Sequence, residues 1–404
     1  MKHCLFFLGK NQEISLSELK NLGIKDLKSF TKNLAYGVYS HKIDLKKFHN
    51  QLGGVIKTSQ IIDTLINFEE AADRIINELS KNHKKGKLIY GINIHSRDDS
   101  KKNRKSLDIL LADIKKGLRK HKISGRYLNK RGQNVNNIIA AESLNKKKAK
   151  IYDIIEVEED GQKKFLLAIS IAYQNVDKYA LRDYNKPFRD AKAGMLPPKL
   201  AQTLINLATG FDEAEDRSNK TIYDPFCGSG TILMEGLIDG YNVIGSDISE
   251  NMVEGSKQNI DFIIEKMNLT QDTNTIKKNI FLHNAIEKFP ESLKCDAIAT
   301  ETYLGEAFGK APTLDQIEEQ NKKLKKLYIA FFKNIAEKLK KGTPVVVTFP
   351  FYKGKTRSIS LSGIIPEIEK LGYMNIELSE EFATLRYIRP DQIVGREIYK
   401  FIKL

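Results

Sequence analysis

The chain has 404 residues, a formal net charge of +15 and three cysteines, Cys4, Cys227 and Cys295. That length accommodates two or three domains with a core in each, while an odd, scattered set of cysteines gives no disulfide framework or zinc spacing and fits a reducing compartment, so a cytoplasmic protein is expected. Seven histidines without metal-ligand spacing give a metal-dependent mechanism no support, and the five-residue apolar run before Lys10 is too short for a signal-peptide core; no later segment approaches a membrane span.

Leu5 to Leu8 has the pattern of a short buried strand. Ser15, with Glu18 three residues on, has the form of a capping box opening a helix. Strand patterns follow at Ala35 to Ser40 and through Val55-Ile56 and Ile61-Ile62, which makes residues 1–65 a small α+β module. Ala72, Ile75, Ile76 and Leu79 then repeat at helical spacing.

Charge divides the chain sharply. Lys81 to Lys150 holds 21 Lys and Arg against 5 Asp and Glu, so this one region carries the whole positive excess and the remainder is near neutral. Within it Leu107, Leu110, Leu111, Ile114 and Leu118 share one helical face, and Lys115, Lys116, Arg119 and Lys120 fall elsewhere on the same helix. Such a helix docks and still presents its cations. Strand patterns at Leu88 to Ile94, Ile151 to Val157 and Phe165 to Ala172 place it beside a sheet, and Asn145 to Lys150 reads as a charged loop. Residues 66–178 therefore form a second α+β domain whose charge suits a polyanion, nucleic acid in particular, with a merely solubilising face as the plainer alternative. An interfacial membrane helix fits less well, because large exposed aromatics are missing.

Residues 179–219 connect this domain to the next. They contain Arg182 to Asp190 (RDYNKPFRD), Ala193 to Ala201 (AGMLPPKLA), a helix start at Pro197-Pro198 continued by Leu200, Leu204 and Leu207, and a polar linker from Asp212 to Asn219. The stretch Lys220 to Asp247 then reads strand, glycine turn, helix, strand. Asp224 ends the first strand, Cys227-Gly228-Ser229-Gly230 is the turn, Ile232, Leu233 and Leu237 line a helical face, and Asp247 ends the second strand. In a parallel βαβ unit such a turn lies at the carboxyl end of the strand, where glycines admit a ligand to the backbone, the helix amino end attracts an anion and the second acid accepts from ribose hydroxyls. A dinucleotide fingerprint requires a third glycine where this chain has Leu233 and has no use for Asp224-Pro225-Phe226; a carboxylate at Asp224 suits a cationic ligand.

The sequence DPFCGSGT resembles the first cofactor motif of Rossmann-like methyltransferases, especially those that methylate exocyclic amino groups of nucleic-acid bases. The resemblance implies S-adenosyl-L-methionine as cofactor, bound by Asp224, Pro225, Gly228, Ser229, Gly230, Thr231 and Asp247, with Asn284 at the end of a third strand on the adenine amino group. The connecting segment resembles the lead-in to the methyltransferase domain of THUMP-containing tRNA guanine-N2 methyltransferases, and the element order upstream resembles a ferredoxin-like piece followed by a THUMP domain, an RNA-binding module. The implied fold is α/β: a C-terminal Rossmann-like class I methyltransferase domain over 220–404 behind an N-terminal α+β region that binds RNA, tRNA above all, through residues 81–150.

Further along, a helix through Met252 and Ile260 leads to the third strand, Ile280 to Leu282, and Cys295 to Thr300 is the fourth. Leu324 to Leu339 forms a long amphipathic helix, Val345 to Val347 a buried strand and Glu397 to Ile402 a final one. At the fourth strand's end the amino-methyltransferases show Asp or Asn, two prolines and an aromatic, whereas this chain has Thr300-Glu301-Thr302-Tyr303. Aligned on Tyr303, Thr300 takes the acidic position; with a one-residue deletion Glu301 does. Glu301 as acceptor or base and Tyr303 as stacking platform are the expected catalytic pair. A DNA adenine or cytosine amino-methyltransferase, and a non-catalytic RNA-binding homologue, are the competing readings.

Overall fold

The computed structural model describes every residue except 82, 84–85, 97–100, 147, 160, 191–194, 212–216, 355–357, 362, 380–383 and 391, and the side chains of 101–102. Parts of the basic region, Ala193-Gly194 of the connecting segment and most of the linker before Asn219 thus lie outside the described residues. Two compact units are present. One comprises Met1–Gln12, Ile24–Asn50 and Val55–Val176, the other Glu13–Gly23, Gln51–Gly54 and Asp177–Leu404.

The N-terminal half runs β1 (Lys2–Leu8), α1 (Gln12–Asn21), β2 (Lys25–Thr31), β3 (Leu34–Tyr39), α2 (Leu45–Asn50), β4 (Val55–Leu65), α3 (Glu70–Lys81), β5 (Leu88–His95), α4 (Lys101–Lys120), β6 (Gly125–Tyr127), α5 (Asn137–Asn145), β7 (Ala149–Glu159) and β8 (Gln162–Tyr173). Its eight strands form one sheet in the order β2-β3-β1-β4-β8-β7-β5-β6. Leu107, Leu110, Leu111, Ile114 and Leu118 of α4 are buried with Ile75 and Leu79 of α3 against Tyr90, Tyr152 and Ile154 of the sheet. Lys116, Arg119 and Lys120 remain exposed on α4, with Lys115 half-buried.

The expected boundary near residue 65 falls inside a continuous sheet. Lys57 to Leu65 of β4 pair with Tyr173 to Phe165 of β8, so residues 1–65 and 66–178 share their hydrogen bonds. The capping box expected at Ser15 and Glu18 is also corrected: α1 begins at Gln12, and both side chains are used elsewhere. Ser15 Oγ donates to the Gly54 carbonyl at 2.8 Å, and the fully buried Glu18 carboxylate accepts from the amides of Gly53 and Gly54 at 2.9 and 2.8 Å and from Asn206 Nδ2 at 2.7 Å. A buried carboxylate is tolerated only with such partners, which explains why Glu13–Gly23 and Gln51–Gly54 group with the second unit.

The C-terminal half runs α6 (Val176–Asp183), α7 (Pro198–Thr209), β9 (Thr221–Asp224), α8 (Thr231–Ile238), β10 (Asn242–Asp247), α9 (Glu250–Met267), α10 (Thr273–Lys278), β11 (Ile280–Leu282), β12 (Ala297–Glu301), α11 (Leu314–Ala336), β13 (Pro344–Tyr352), β14 (Ile359–Ser360), α12 (Ile364–Glu369), β15 (Tyr373–Ile376), β16 (Leu385–Tyr387) and β17 (Val394–Lys403). Its main path is β11-β10-β9-β12-β13-β17-β15. The first five strands are parallel, and β17 inserts antiparallel between β13 and β15. Covered on both faces, these strands are apolar runs rather than alternating ones: Val345, Val346 and Val347 are all fully buried. Leu200, Leu204 and Ile205 of α7 pack on Ile222, Ala297 and Val346, while Phe331, Phe332 and Ile335 of α11 pack on Ile298, Val345 and Phe401.

Counting the strands of the main path in chain order gives 3-2-1-4-5-7-6, so the chain turns outward from β9 in one direction and from β12 in the other. That reversal opens a crevice beyond the carboxyl ends of β9 and β12. Asp224 and Glu301 terminate those two strands, and Asp247 terminates β10.

Candidate active site

The glycine turn is built from strained backbone and a set of anchors. Gly228 and Gly230 have φ of +49° and +76°, a region that β-carbons disfavour. A Cβ on Gly230 would lie 2.9 Å from Ser256 Oγ of α9, whereas one on Gly228 would meet no heavy atom within 4 Å. The space beside Gly228 is therefore available to a ligand. Asp247 accepts from the Gly228 amide through Oδ2 and from the Ser249 amide through Oδ1, both at 2.9 Å, and Ser256 Oγ donates to the Gly228 carbonyl at 2.6 Å. The acid expected on ribose hydroxyls thus also holds the turn; each of its oxygens keeps a lone pair for a further donor.

Asp224 is buried at the tip of β9, where Pro225 and the half-buried Phe226 start the turn. Its Oδ1 accepts from Thr300 Oγ1 at 2.6 Å and from the Phe226 amide at 3.1 Å. Burial raises its pKa to about 7 despite these donors, with Asp247 and Glu301 adding repulsion. Such a carboxylate is stabilised by a cation, and none of the described cations forms a salt bridge with it.

Sequence alternation sends the residues at the end of β12 in different directions. Thr300 reaches Asp224, and Glu301 forms an ion pair with Arg396 of β17, reaching over the end of β13, where Glu301 is in register with Thr348 and Arg396 with Pro350. Arg396 is 3% exposed. Thr302 Oγ1 donates to the Thr348 carbonyl at 2.6 Å, and Tyr328 Oη donates to the Tyr303 carbonyl at 2.5 Å, so the loop backbone is fixed while the Tyr303 ring is 51% exposed. Asn284 sits after β11, where its Oδ1 accepts from the Ile286 amide at 3.3 Å.

Three residues of the site escaped the sequence reading. Arg396 lies in the strand VGREIYKFIK beside Glu397, also buried; a charged pair inside an apolar strand is the signal that marks such a residue. Lys186 is 3% exposed, with Nζ donating to Ser229 Oγ and Thr231 Oγ1, each at 3.1 Å. Asn259 of α9 accepts from the Phe188 amide at 2.9 Å and donates to the carbonyls of Phe188 and Ser229 at 3.0 and 2.8 Å. The connecting segment is thereby stitched to the glycine turn.

A cleft of about 770 Å³ in the N-terminal unit, lined by Phe7, Phe30, His95, Arg104 and Gln133 among others, includes no residue of this turn. Position at the reversal of strand order, rather than cavity size, makes this turn the candidate site. Among the described residues no group of three His, Cys, Asp or Glu side chains could hold a metal, and no helix is long and apolar enough to cross a membrane.

The family described as RMKL-like, methyltransferase domain, matches residues 186–380, and one described as DNA methylase, of the N6/N4 type, matches residues 32–258, more than half of the chain. The tRNA (guanine(10)-N2)-dimethyltransferase of Methanothermobacter thermautotrophicus is 42% identical over 79 residues, covering 20% of this chain and 21% of its own. The enzyme of the same name from Methanocaldococcus jannaschii is 30% identical over 142 residues, 34% of this chain and 35% of its own. This chain therefore spans about a fifth to a third of these relatives. Among solved structures, TrmN from Thermus thermophilus aligns over the full length of both chains at 13% identity and a TM-score of 0.48. The two family matches overlap from Lys186 through the glycine turn into α9, and the chain belongs to the S-adenosylmethionine-dependent methyltransferase family that they describe.

Proposed function

We propose that this chain methylates the N2 amino group of guanine in tRNA. The observation that carries the reading is its likeness to relatives named tRNA (guanine(10)-N2)-dimethyltransferases. Concentration of the positive charge in residues 81–150, with exposed cations on α4, supports an RNA partner for the N-terminal unit, read as ferredoxin-like and THUMP-like, and a cytoplasmic setting in which Cys4, Cys227 and Cys295 stay free.

The residues present fit S-adenosylmethionine, which supplies an electrophilic methyl on sulfur when bound. Asp224 offers a buried carboxylate to the methionyl ammonium, the open face of Gly228 admits the ligand to the backbone, and Asp247 at the end of β10 and Asn284 two residues after β11 offer acceptors to ribose and adenine. An exocyclic amine delocalises its lone pair into the ring, so acceptors must hold its hydrogens and turn the lone pair toward the methyl group. Glu301, oriented by Arg396, supplies such an acceptor and takes the proton released; Tyr303 offers its exposed ring to the base. The rest of the acceleration comes from positioning both substrates at the crevice.

The match to DNA methylases favours a second reading, amino methylation of adenine or cytosine in DNA. Competition of tRNA and duplex DNA for the protein, measured at equal phosphate concentration, tests the choice. Preferential retention of tRNA supports the RNA reading, and preferential retention of duplex DNA overturns it.

A further inference from the structure

Lys186 is a buried cation at the amino end of a helix, which is an unfavourable place for one. The amino end of α8 already carries partial positive charge, and removing an ammonium from water disfavours its charged form. Burial lowers the Lys186 pKa to about 8, with Arg189 lowering it and Asp183 and Glu235 raising it. Glu235 is itself within 3.0 Å of Arg182 Nε in a buried ion pair. An ammonium has three donors. Among the described residues, two of them go to the hydroxyls of Ser229 and Thr231, and the third has no protein acceptor.

The backbone around Lys186 is not free to swing it away. Phe188 is held at its amide and its carbonyl by Asn259, and its ring fills the space where a Cβ on Gly255 would otherwise sit, 2.2 Å from that position. Lys186 is thus pinned against Ser229 and Thr231 at one end of the turn and Asp224 stands at the other, with only Pro225 to Gly228 between Asp224 and Ser229 in the chain. An opposite pair of charges flanking one short turn matches a zwitterion.

We propose that Lys186 is the binding residue for the α-carboxylate of the S-adenosylmethionine tail, donating its third N–H to that group while Asp224 takes the neighbouring ammonium. The assignment rests on the cofactor site described above. It makes the connecting segment, through Lys186 and Phe188, part of the cofactor site rather than a tether leading to it.

Calorimetric titration with S-adenosylmethionine and with decarboxylated S-adenosylmethionine, which keeps the amine and lacks the carboxylate, tests this directly. Wild-type protein is expected to prefer the carboxylated ligand by about 10- to 100-fold, the size of a charge-assisted hydrogen bond. In Lys186→Met the carboxylated ligand should lose that factor and the decarboxylated one should not, so the preference disappears; Lys186→Arg should retain part of it. A preference undiminished in Lys186→Met overturns the assignment while leaving the cofactor site standing. Wild-type protein that binds neither ligand overturns both.

Discussion

Thr300 donates its hydroxyl to Asp224 across 2.6 Å, joining the end of the fourth parallel strand to the end of the first, immediately before the glycine turn. The end of the strand proposed to face the target base and the end of the strand proposed to face the cofactor are thus coupled by one hydrogen bond. Thr300 is fully buried and its hydroxyl is committed to Asp224, whereas Glu301, one residue on, is partly exposed and paired with Arg396.

Cofactor affinity should depend on this bond and on pH. Burial raises the Asp224 pKa to about 7, and in the proposed site the ammonium is held by the ionised form. Affinity should therefore fall as pH drops below 7, by up to about tenfold per unit, because binding then requires loss of a proton. Thr300→Val removes a donor to the carboxylate, so its midpoint should move to higher pH and affinity at neutral pH should drop roughly 5- to 10-fold. Calorimetry between pH 6 and 8 measures both; a flat profile in wild-type protein contradicts the role given to Asp224.

Asp224→Ala should abolish measurable S-adenosylmethionine binding, and Gly228→Val should do the same by placing a branched side chain at φ +49° in the open space beside the turn. Both variants should keep the far-ultraviolet circular dichroism of the parent. Unchanged affinity in either locates the cofactor elsewhere.

The Glu301–Arg396 pair makes a stability prediction that separates it from catalysis. Arg396→Met leaves a largely buried carboxylate without its partner and should cost about 3 kcal/mol in urea unfolding. Adding Glu301→Gln should restore much of that loss, because the buried charge is then gone as well. Two independent, additive losses would show that the pair is not coupled. Glu301→Gln alone should slow single-turnover methyl transfer ~10²–10⁴-fold with cofactor affinity nearly intact, Tyr303→Ala should weaken base capture by roughly 1–3 kcal/mol, and Tyr303→Phe should be mild.

The polyanion surface is tested by salt. Reversing Lys115, Lys116, Arg119 and Lys120 to Glu should weaken tRNA binding and flatten its dependence on salt concentration, since fewer counterions are released, while leaving S-adenosylmethionine affinity unchanged. Equal binding by parent and variant at 50 and 200 mM salt would mark these cations as solubilising.

Much of the catalytic unit was legible in the sequence because its strands are buried on both faces and its turn is chemically constrained. DPFCGSGT shows its glycines where φ must be positive, and Asp224 and Asp247 fall at strand ends. Long-range pairings were not legible: nothing near Glu301 in sequence points to Arg396, and nothing near Lys186 points to Ser229 and Thr231. Glu18 looked like a capping residue because local spacing cannot show that Gly53, Gly54 and Asn206 compete for the same carboxylate. β2 escaped because KDLKSFT lies exposed at the edge of its sheet and carries no alternation. The expected division at residue 65 failed to anticipate the pairing of β4 with β8, which is set by strands about a hundred residues apart.

The proposed reaction is transfer of a methyl group to guanine N2 in tRNA. Incubating unmodified tRNA with the protein and isotopically labelled S-adenosylmethionine, then digesting to nucleosides and analysing by mass spectrometry, measures it directly. Label is expected in N2-methylated guanosine, lost in Asp224→Ala and strongly reduced in Glu301→Gln. Label in another nucleoside, label only in DNA supplied alongside, or no label from protein that binds both cofactor and tRNA would contradict it.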